Sequence, residues 1–101
     1  MRPENLFAGA DAPAEGERFE ALLTHKNVEI KRIISSDAIS PTEYVQAEDE
    51  WVVLLRGEAT LEINGEAVEL RPGDYVFLPA GTPHTVRRTS AGALWLAVHV
   101  S

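Results

Sequence analysis

Turn-forming residues divide the middle and the end of this chain into runs of about eight to ten residues, long enough for short strands only. Asn64-Gly65 is the strongest of these signals, because the dipeptide favours the type I′ turn of a two-residue β-hairpin. The flanking runs, Glu58–Ile63 and Glu66–Arg71, alternate between apolar and polar residues, as half-buried strands do. The pattern predicts about eight short antiparallel strands in a sandwich or barrel.

The length of 101 residues leaves room for one domain. Residues 1–16 show no hydrophobic period, and we expect them to form a loose arm. Phe19, Leu22 and Leu23 have the spacing of a helical turn within residues 17–24. We therefore expect an N-terminal arm with a short helix over residues 1–27 and an all-β domain over residues 28–101.

The charge and the cysteine count exclude several classes of function. A net charge of −7 opposes binding to nucleic acid or to an anionic membrane surface. The absence of cysteine excludes disulfides, thiolate metal sites and cysteine nucleophiles. No apolar run approaches the ~20 residues of a membrane-spanning helix, and no signal peptide is visible at the N-terminus. These features predict a cytoplasmic protein with neither a nucleic-acid nor a membrane partner.

Two glycine-anchored stretches carry the most specific pattern. In the first, Glu50 is followed by six residues and then by Gly57, with Tyr44 and Gln46 upstream. The second contains a glycine, five further residues, a Pro-x-Gly turn and a histidine, namely Gly73, Pro79, Gly81 and His84. Tyr44 and Gln46 are two residues apart, so that a strand points both side chains to one face.

The two stretches resemble the paired motifs of the cupin superfamily, which are small jelly-roll barrels. The second stretch matches until its end, where Arg88 replaces the asparagine of the cupin pattern. The first matches at Glu50 and Gly57, but Tyr44 and Gln46 stand where two histidines would fall. The resemblance covers about residues 28–100, and the chain also looks like a group of small single-domain bacterial cupins of undefined function. It implies a cupin-type antiparallel jelly-roll β-barrel with a short N-terminal arm and a helical turn.

Cupins typically bind a divalent metal ion through three histidines and a glutamate. Carried over to this chain, the resemblance implies a metal site formed by Gln46, Glu50 and His84 and completed by water. It also implies that Tyr44, Glu50 and His84 are the catalytic residues, with Tyr44 as proton donor or orienting group. The alternative is a buried hydrogen-bond network without metal, because a buried carboxylate needs polar partners in either case.

The resemblance implies a small-molecule ligand in the barrel but leaves the reaction open. One hypothesis is a metal-dependent enzyme that acts as an oxygenase, isomerase or lyase. The others are a non-catalytic module that binds a small ligand and a structural dimer with a filled cup. The loss of two imidazole ligands favours the non-catalytic alternatives, whereas the retained glutamate and histidine favour a metal-binding cupin.

The strands that are apolar on both faces predict a homodimer. Trp51, Val53 and Leu55 alternate with Val52 and Leu54, so neither face of this strand is polar. An antiparallel sheet with one face in water shows apolar–polar alternation instead. A second covering surface is therefore needed, and we expect two copies to pack sheet to sheet with twofold symmetry.

Two further polar residues occur in apolar surroundings. Arg32 lies two residues from both Ile30 and Ile34 and therefore shares their apolar face. We expect it to pair with an acidic residue at the barrel's edge rather than to bind an anionic substrate. His99 shares a face with Trp95, and we expect it to pack in the core or an interface rather than to take part in catalysis.

Overall fold

The structure is a computed structural model that describes all 101 residues and contains nine β-strands and no helical residue. The strands are β1 Glu17–His25, β2 Val28–Ser35, β3 Glu43–Tyr44, β4 Asp49–Arg56, β5 Ala59–Ile63, β6 Glu66–Leu70, β7 Tyr75–Leu78, β8 His84–Thr89 and β9 Ala93–Val100. No helix long and apolar enough to cross a membrane occurs in it.

The strands form two antiparallel sheets that face each other. One has the order β1-β2-β9-β4-β7 and the other the order β3-β8-β5-β6. This arrangement confirms the all-β jelly-roll fold expected from the sequence. The predicted hairpin joins β5 to β6, with Ile63 paired to Glu66. Asn64 and Gly65 have φ angles of 50° and 80°, as a type I′ turn requires.

The predicted short helix within residues 17–24 is wrong, because these residues belong to β1. The strand pairs with β2 over its whole length, from Glu17 opposite Ser35 to His25 opposite Val28. A bulge between Ala21 and Leu23 inserts one extra residue into β1. The bulge interrupts the two-residue alternation and produces the apolar spacing that resembled a helical turn.

The hydrophobic core lies between the two sheets. Its nine buried residues are Val52, Leu54, Ala59, Leu61, Leu70, Leu78, Ala93, Trp95 and Ala97. Leu54 is entirely buried, and full burial of such a side chain contributes about 1.5–3 kcal/mol. Val52, Leu54, Trp95 and Ala97 come from neighbouring strands of the larger sheet, so that sheet presents a continuous apolar inner face.

Part of the outer face of the larger sheet is covered by the N-terminal arm. Arg32 donates hydrogen bonds to the carbonyl oxygens of Leu6 and Ala8 and forms a two-pronged ion pair with Glu20. Arg32 therefore pairs with an acidic residue, as expected from the sequence. Arg18 and Arg56 bind the next arm carbonyls, those of Gly9 and Ala10.

Candidate functional site

A cavity of about 100 Å³ lies between the two sheets, with apolar walls of which Phe19, Ile33 and Trp95 form part. Its ionisable and polar lining residues are Glu17, Lys31, Tyr44, Gln46, Glu50, His84 and His99. Every site residue expected from the sequence thus borders one cavity, which we call the cup. The cup combines an apolar body with a few polar groups, as small-molecule sites do.

The carboxylate of Glu50 lies between two imidazole rings at the polar end of the cup. Its Oε1 is 3.6 Å from Nε2 of His84, and its Oε2 is 3.6 Å from Nε2 of His99. Glu50 is directly opposite His99 in the pairing of β4 with β9, which explains their proximity. Glu50 is only 7% exposed, and both separations exceed hydrogen-bond length. The carboxylate therefore accepts no hydrogen bond within the protein, and the partner that its burial favours is either a proton on one of these rings or an occupant of the cup.

The ring of His84 is oriented by its own turn. Nδ1 is 3.0 Å from the carbonyl oxygen of Thr82, and because a carbonyl only accepts, Nδ1 must carry a proton and donate it. In the neutral ring, Nε2 then presents a lone pair towards Glu50. Two acceptors facing each other are stabilised by a proton or a cation between them. Tyr44, opposite His84 in the pairing of β3 with β8, stacks on this ring at a centroid distance of 5.9 Å.

Gln46 also lines the cup and brings an unpartnered acceptor to it. Its side-chain Oε1 is buried and accepts no hydrogen bond. Its backbone carbonyl accepts a hydrogen bond of 2.8 Å from the amide of Gly81. The carboxylate of Asp49 accepts another of 2.8 Å from the amide of Ala80. The Pro-x-Gly turn of the second motif is thus fastened to the segment of the first motif.

The donor chemistry of this end of the cup fits a divalent cation. No group of three or more His, Cys, Asp or Glu side chains is spaced to hold a metal ion. The predicted set instead combines the amide oxygen of Gln46, the carboxylate of Glu50 and the imidazole of His84. Oxygen and imidazole ligands suit divalent cations. A metal-binding histidine also typically donates its other ring proton to a carbonyl or carboxylate, as His84 does to Thr82.

His99 belongs to the cup, although sequence reasoning assigned it only a packing role. It is buried, as expected, but its Nε2 faces Glu50. Its Nδ1 is buried without a hydrogen bond and lies 3.7 Å from Oε1 of Glu48. The sequence signal for this position was the two-residue spacing of Trp95, Ala97 and His99, which puts all three side chains on the inner face. The pairing of β9 with β4, which brings His99 next to Glu50, is not visible in the sequence.

Glu17 is a second cup residue that the sequence did not single out. Its Oε2 accepts a hydrogen bond from Oγ of Ser35, which in turn accepts one of 3.0 Å from the indole Nε1 of Trp95. Burial raises the pKa of the Glu17 carboxyl above its usual value, and the hydrogen bond from Ser35 only partly opposes this. Glu17 was overlooked because residues 17–24 were expected to be helical.

Known proteins share this architecture. A crystal structure of a protein from Ralstonia eutropha JMP134, described provisionally as a mannose-6-phosphate isomerase, matches 100% of this chain and 99% of its own with a TM-score of 0.87 and 35% identity. An RmlC-like cupin protein from Desulfovibrio desulfuricans matches 99% of this chain and 96% of its own with a TM-score of 0.80 and 18% identity, and shares the fold. An uncharacterized protein of Aquifex aeolicus (strain VF5) is 29% identical over 83 residues, which are 81% of this chain and 69% of that protein.

The model of the Cupin domain family, Cupin_2, matches residues 32–99, which is more than half of the chain. The match includes both glycine-anchored motifs and three strands of the larger sheet, β4, β7 and most of β9. It agrees with the jelly-roll topology and with the inward position of Glu50 and His84. The chain therefore belongs to the cupin domain family.

Proposed function

We propose that this chain is a small-molecule-binding cupin that holds a divalent cation at Gln46, Glu50 and His84. The observation that carries the proposal is the buried carboxylate of Glu50, which faces the Nε2 lone pair of His84 at 3.6 Å without a hydrogen bond. A divalent cation held by these two side chains would offset the free-energy cost of burying the carboxylate unpaired. The orphaned Oε1 of Gln46 supplies a further ligand.

A bound divalent cation would supply Lewis-acid polarisation of a ligand oxygen. The chain's own residues would orient the ligand beside it. Thr82 fixes the ring of His84, and the ring of Tyr44 stacks on the other side at the mouth of the cup. Tyr44, which lines the cup and is 40% exposed, would donate a proton or a hydrogen bond to a ligand. Tyr44, Glu50 and His84 are the proposed catalytic residues if the ligand is a substrate, with oxygenase, isomerase or lyase chemistry as the candidates.

A specific observation favours the second candidate, a non-catalytic cupin with a metal-free polar network. Glu50 has an imidazole on each side, and a proton on either His84 or His99 would pair with the carboxylate without a metal. A phosphorylated sugar, suggested by the name of the Ralstonia relative, fits less well. The cationic side chain in the cup wall is Lys31, whose ammonium lies 3.2 Å from a carboxylate oxygen of Glu29.

Removal and return of metal tests the first proposal. We expect protein purified without chelator to contain a divalent metal, and chelator-treated protein to bind Mn²⁺ or Zn²⁺ in calorimetric titration. Glu50→Gln and His84→Ala should each weaken this binding by at least about tenfold, because the first removes the negative charge of a ligand and the second removes a ligand. His25→Ala is the matched control, because His25 is exposed at the end of β1 and should leave the affinity unchanged.

Two outcomes would contradict the metal proposal. One is protein that contains no metal and binds none at micromolar concentration. The other is a pair of variants, Glu50→Gln and His84→Ala, that unfold more easily but bind metal and ligands as the wild type does. The second outcome would assign these side chains a structural role only.

We also propose that two copies pair through the outer face of the larger sheet. One row across four of its strands consists of Ile30, Val98, Trp51 and Phe77, which are aligned by the strand register. Phe77 is 58% exposed, and neighbouring Tyr75, which packs on Trp51, is 64% exposed. The row contains no charge, so like charges of this acidic chain would not oppose each other across a twofold axis. A second copy is the occupant that suits such a face.

Light scattering coupled to size-exclusion chromatography tests the pairing. We expect wild-type protein to elute at about twice the chain mass of 11.1 kDa. Phe77→Glu should shift the protein to the monomer, because a twofold interface would then bury two unpaired carboxylates. Val45→Glu, at an exposed valine next to β3 in the other sheet, should remain a dimer. Wild-type protein that stays at 11.1 kDa at all concentrations would overturn this proposal.

The remaining partner and location predictions follow from composition. With a net charge of −7, we expect no nucleic-acid partner. A cytoplasmic location stays a prediction that rests on the cysteine-free sequence.

A further inference from the structure

Several hydrogen-bond acceptors line the cup. Two are the carboxylates of Glu17 and Glu50, a third is the orphaned Oε1 of Gln46, and a fourth is Nε2 of His84. The hydroxyl of Tyr44 is a donor, but its residue lies at the mouth and is 40% exposed. A buried acceptor without a donor costs free energy until an occupant supplies one. The cup therefore favours an occupant that donates.

Two of the donors in the cup wall already have partners within the protein. The indole of Trp95 donates to Ser35, and the hydroxyl of Ser35 donates to Glu17. The ammonium of Lys31 lies 3.2 Å from Oε1 of Glu29. The indole is therefore committed to Ser35, and the ammonium has the carboxylate of Glu29 beside it.

Glu17 is a carboxylate that no cationic side chain pairs with in this structure, where the nearby ion pairs join Lys31 to Glu29 and Arg32 to Glu20. The raised pKa of the Glu17 carboxyl reflects the same deficit, because burial outweighs the one hydrogen bond from Ser35. An ammonium group placed against Glu17 would offset this cost by a charge-assisted hydrogen bond.

Glu17 lies well apart from the polar end of the cup. The register places Glu17 beside Ser35, which pairs with Ala93, whereas Glu50 pairs with His99. On β9 the inward-facing residues Trp95 and Ala97 lie between Ala93 and His99. A ligand at Glu17 therefore does not compete with a cation at the Glu50 end for the same atoms.

The row next to Glu17 supplies an apolar and aromatic wall. Phe19 pairs with Ile33, and Ile33 pairs with Trp95, so these three side chains lie side by side on the inner face. All three border the cup, together with Tyr44. Aromatic rings attract cations at their faces as well as hydrocarbon groups. The surroundings of Glu17 thus suit a cationic head on a short apolar body.

We propose that the cup selects a small organic cation, a primary amine with a short branched hydrocarbon body, whose ammonium group binds Glu17. This inference rests on the proposed function, since it names the ligand class of the same cup. The hydrocarbon body packs against Phe19, Ile33 and Trp95. The cavity of about 100 Å³ is well below the volume of a drug-sized site, so it limits the body to a few carbon atoms.

Titration with three probes of one shape tests the proposal. The probes are 3-methylbutylamine, 3-methylbutanol and 3-methylbutanoate, which are cationic, neutral and anionic at pH 7. The readout is the indole N–H signal of Trp95 in a proton–nitrogen correlation spectrum. The chain has two tryptophans, so the signal lost in Trp51→Phe assigns the other to Trp95. We expect the amine to bind at least about tenfold more tightly than the carboxylate, because the ammonium pairs with Glu17 whereas the anionic probe places a like charge against it.

Glu17→Gln is the diagnostic variant, because its amide oxygen still accepts the hydrogen bond from Ser35 while the charge is removed. It should weaken the amine by about tenfold or more and leave the alcohol unchanged. Glu66→Gln is the matched control, because Glu66 is exposed at the start of β6, and it should bind all three probes as the wild type does.

The outcomes separate this inference from the function on which it rests. If the alcohol or the carboxylate binds in the cup as tightly as the amine, the cationic ligand class is overturned but small-molecule binding stands. An amine affinity that is the same in Glu17→Gln and wild type overturns the assignment of Glu17. If no probe moves the Trp95 signal, the amine inference fails, whereas the metal titration described above still decides the proposed cation site at Gln46, Glu50 and His84.

Discussion

Replacing Gly57 with alanine is expected to lower the free energy of unfolding by about 2–5 kcal/mol. Gly57 has a φ of +88°, which side chains rarely tolerate, and this strain alone costs of order 1–3 kcal/mol. A Cβ at this position would also lie 2.6 Å from Oγ of Ser90 and 2.9 Å from Cα of Ala93. The second contact is with backbone, so it cannot be relieved by rotating a side chain. Overpacking of this kind adds about 1–3 kcal/mol.

The crowding at Gly57 is built into the crossing from β4 to β5. The amide of Glu58 donates to Oγ of Ser90 at 2.9 Å, and the amide of Ser90 donates to the carbonyl of Glu58 at 3.0 Å. These two hydrogen bonds clamp the crossing against the turn before β9 and hold Ser90 where the new Cβ would clash. The glycine shared with the first cupin motif therefore serves the fold and not the cup.

Gly81→Ala separates the two costs. Gly81 has a φ of +81°, but a Cβ there would meet nothing within 4 Å. The free energy of unfolding of Gly81→Ala should fall only by the strain of the positive φ angle, of order 1–3 kcal/mol. Urea unfolding measures both variants on one scale. We expect the slope of the unfolding free energy against urea concentration to be the same in both, so that a shift of the midpoint reports stability. Equal losses in Gly57→Ala and Gly81→Ala would contradict the argument from crowding. A loss near 5 kcal/mol would remove much of the stability of a typical domain.

The features that were predictable from the sequence are local ones. Asn64-Gly65 specifies a two-residue turn by its own backbone preferences, and the structure contains that turn. The spacing of Glu50, Gly57 and His84 reflects strand lengths and turns that lie close together in sequence. The family followed from this spacing for the same reason. Each of these inferences needed only the order and spacing of residues along the chain, and none needed to know which distant strands pair.

The features that could not be predicted depend on strand pairing between distant parts of the chain. His99 reaches Glu50 only because β9 lies between β2 and β4, an order that no local pattern encodes. Glu17 enters the cup only because β1 extends the sheet beyond β2. The bulge in β1 hid this strand by giving Leu22 and Leu23 a helix-like spacing. Because a bulge inserts one extra residue and breaks the two-residue alternation, the hydrophobic pattern of a bulged strand does not identify it as a strand.

Replacing Arg32 with methionine is expected to release the N-terminal arm and to lower the free energy of unfolding by about 2–4 kcal/mol. Methionine keeps much of the apolar volume, so the loss reports the polar contacts. Arg32 is only 8% exposed, and its guanidinium donates to the carbonyls of Leu6 and Ala8. Hydrogen bonds from charged groups contribute about 1.5–3 kcal/mol each before the freed carbonyls regain water. Hydrogen exchange at the amides of Phe7 and Ala8, which donate to Asn5 within the arm, should become faster in the variant.

Arg18→Met is the matched control for this substitution. Arg18 also binds an arm carbonyl, that of Gly9, and contacts Glu20, but its side chain is 41% exposed. Exposed pairs of this kind contribute at most about 1 kcal/mol, so the arm should exchange nearly as slowly as in the wild type. Equal effects of the two substitutions would show that burial of the Arg32 guanidinium is not what holds the arm.

The contribution of Arg32 should also depend on pH in a defined direction. The hydrogen bonds from the Arg32 guanidinium hold the pKa of Glu20 below the ordinary value of 4.5. A carboxyl whose pKa is lowered by folding adds stability above its unfolded pKa, and this stability is lost as the pH falls through the folded pKa. The difference in stability between wild type and Arg32→Met should therefore be full at pH 7 and narrow below about pH 4.5. Because the carbonyls of Leu6 and Ala8 do not titrate, a residual difference should persist in acid. A gap that closes completely would instead assign the whole effect of Arg32 to its ion pair with Glu20.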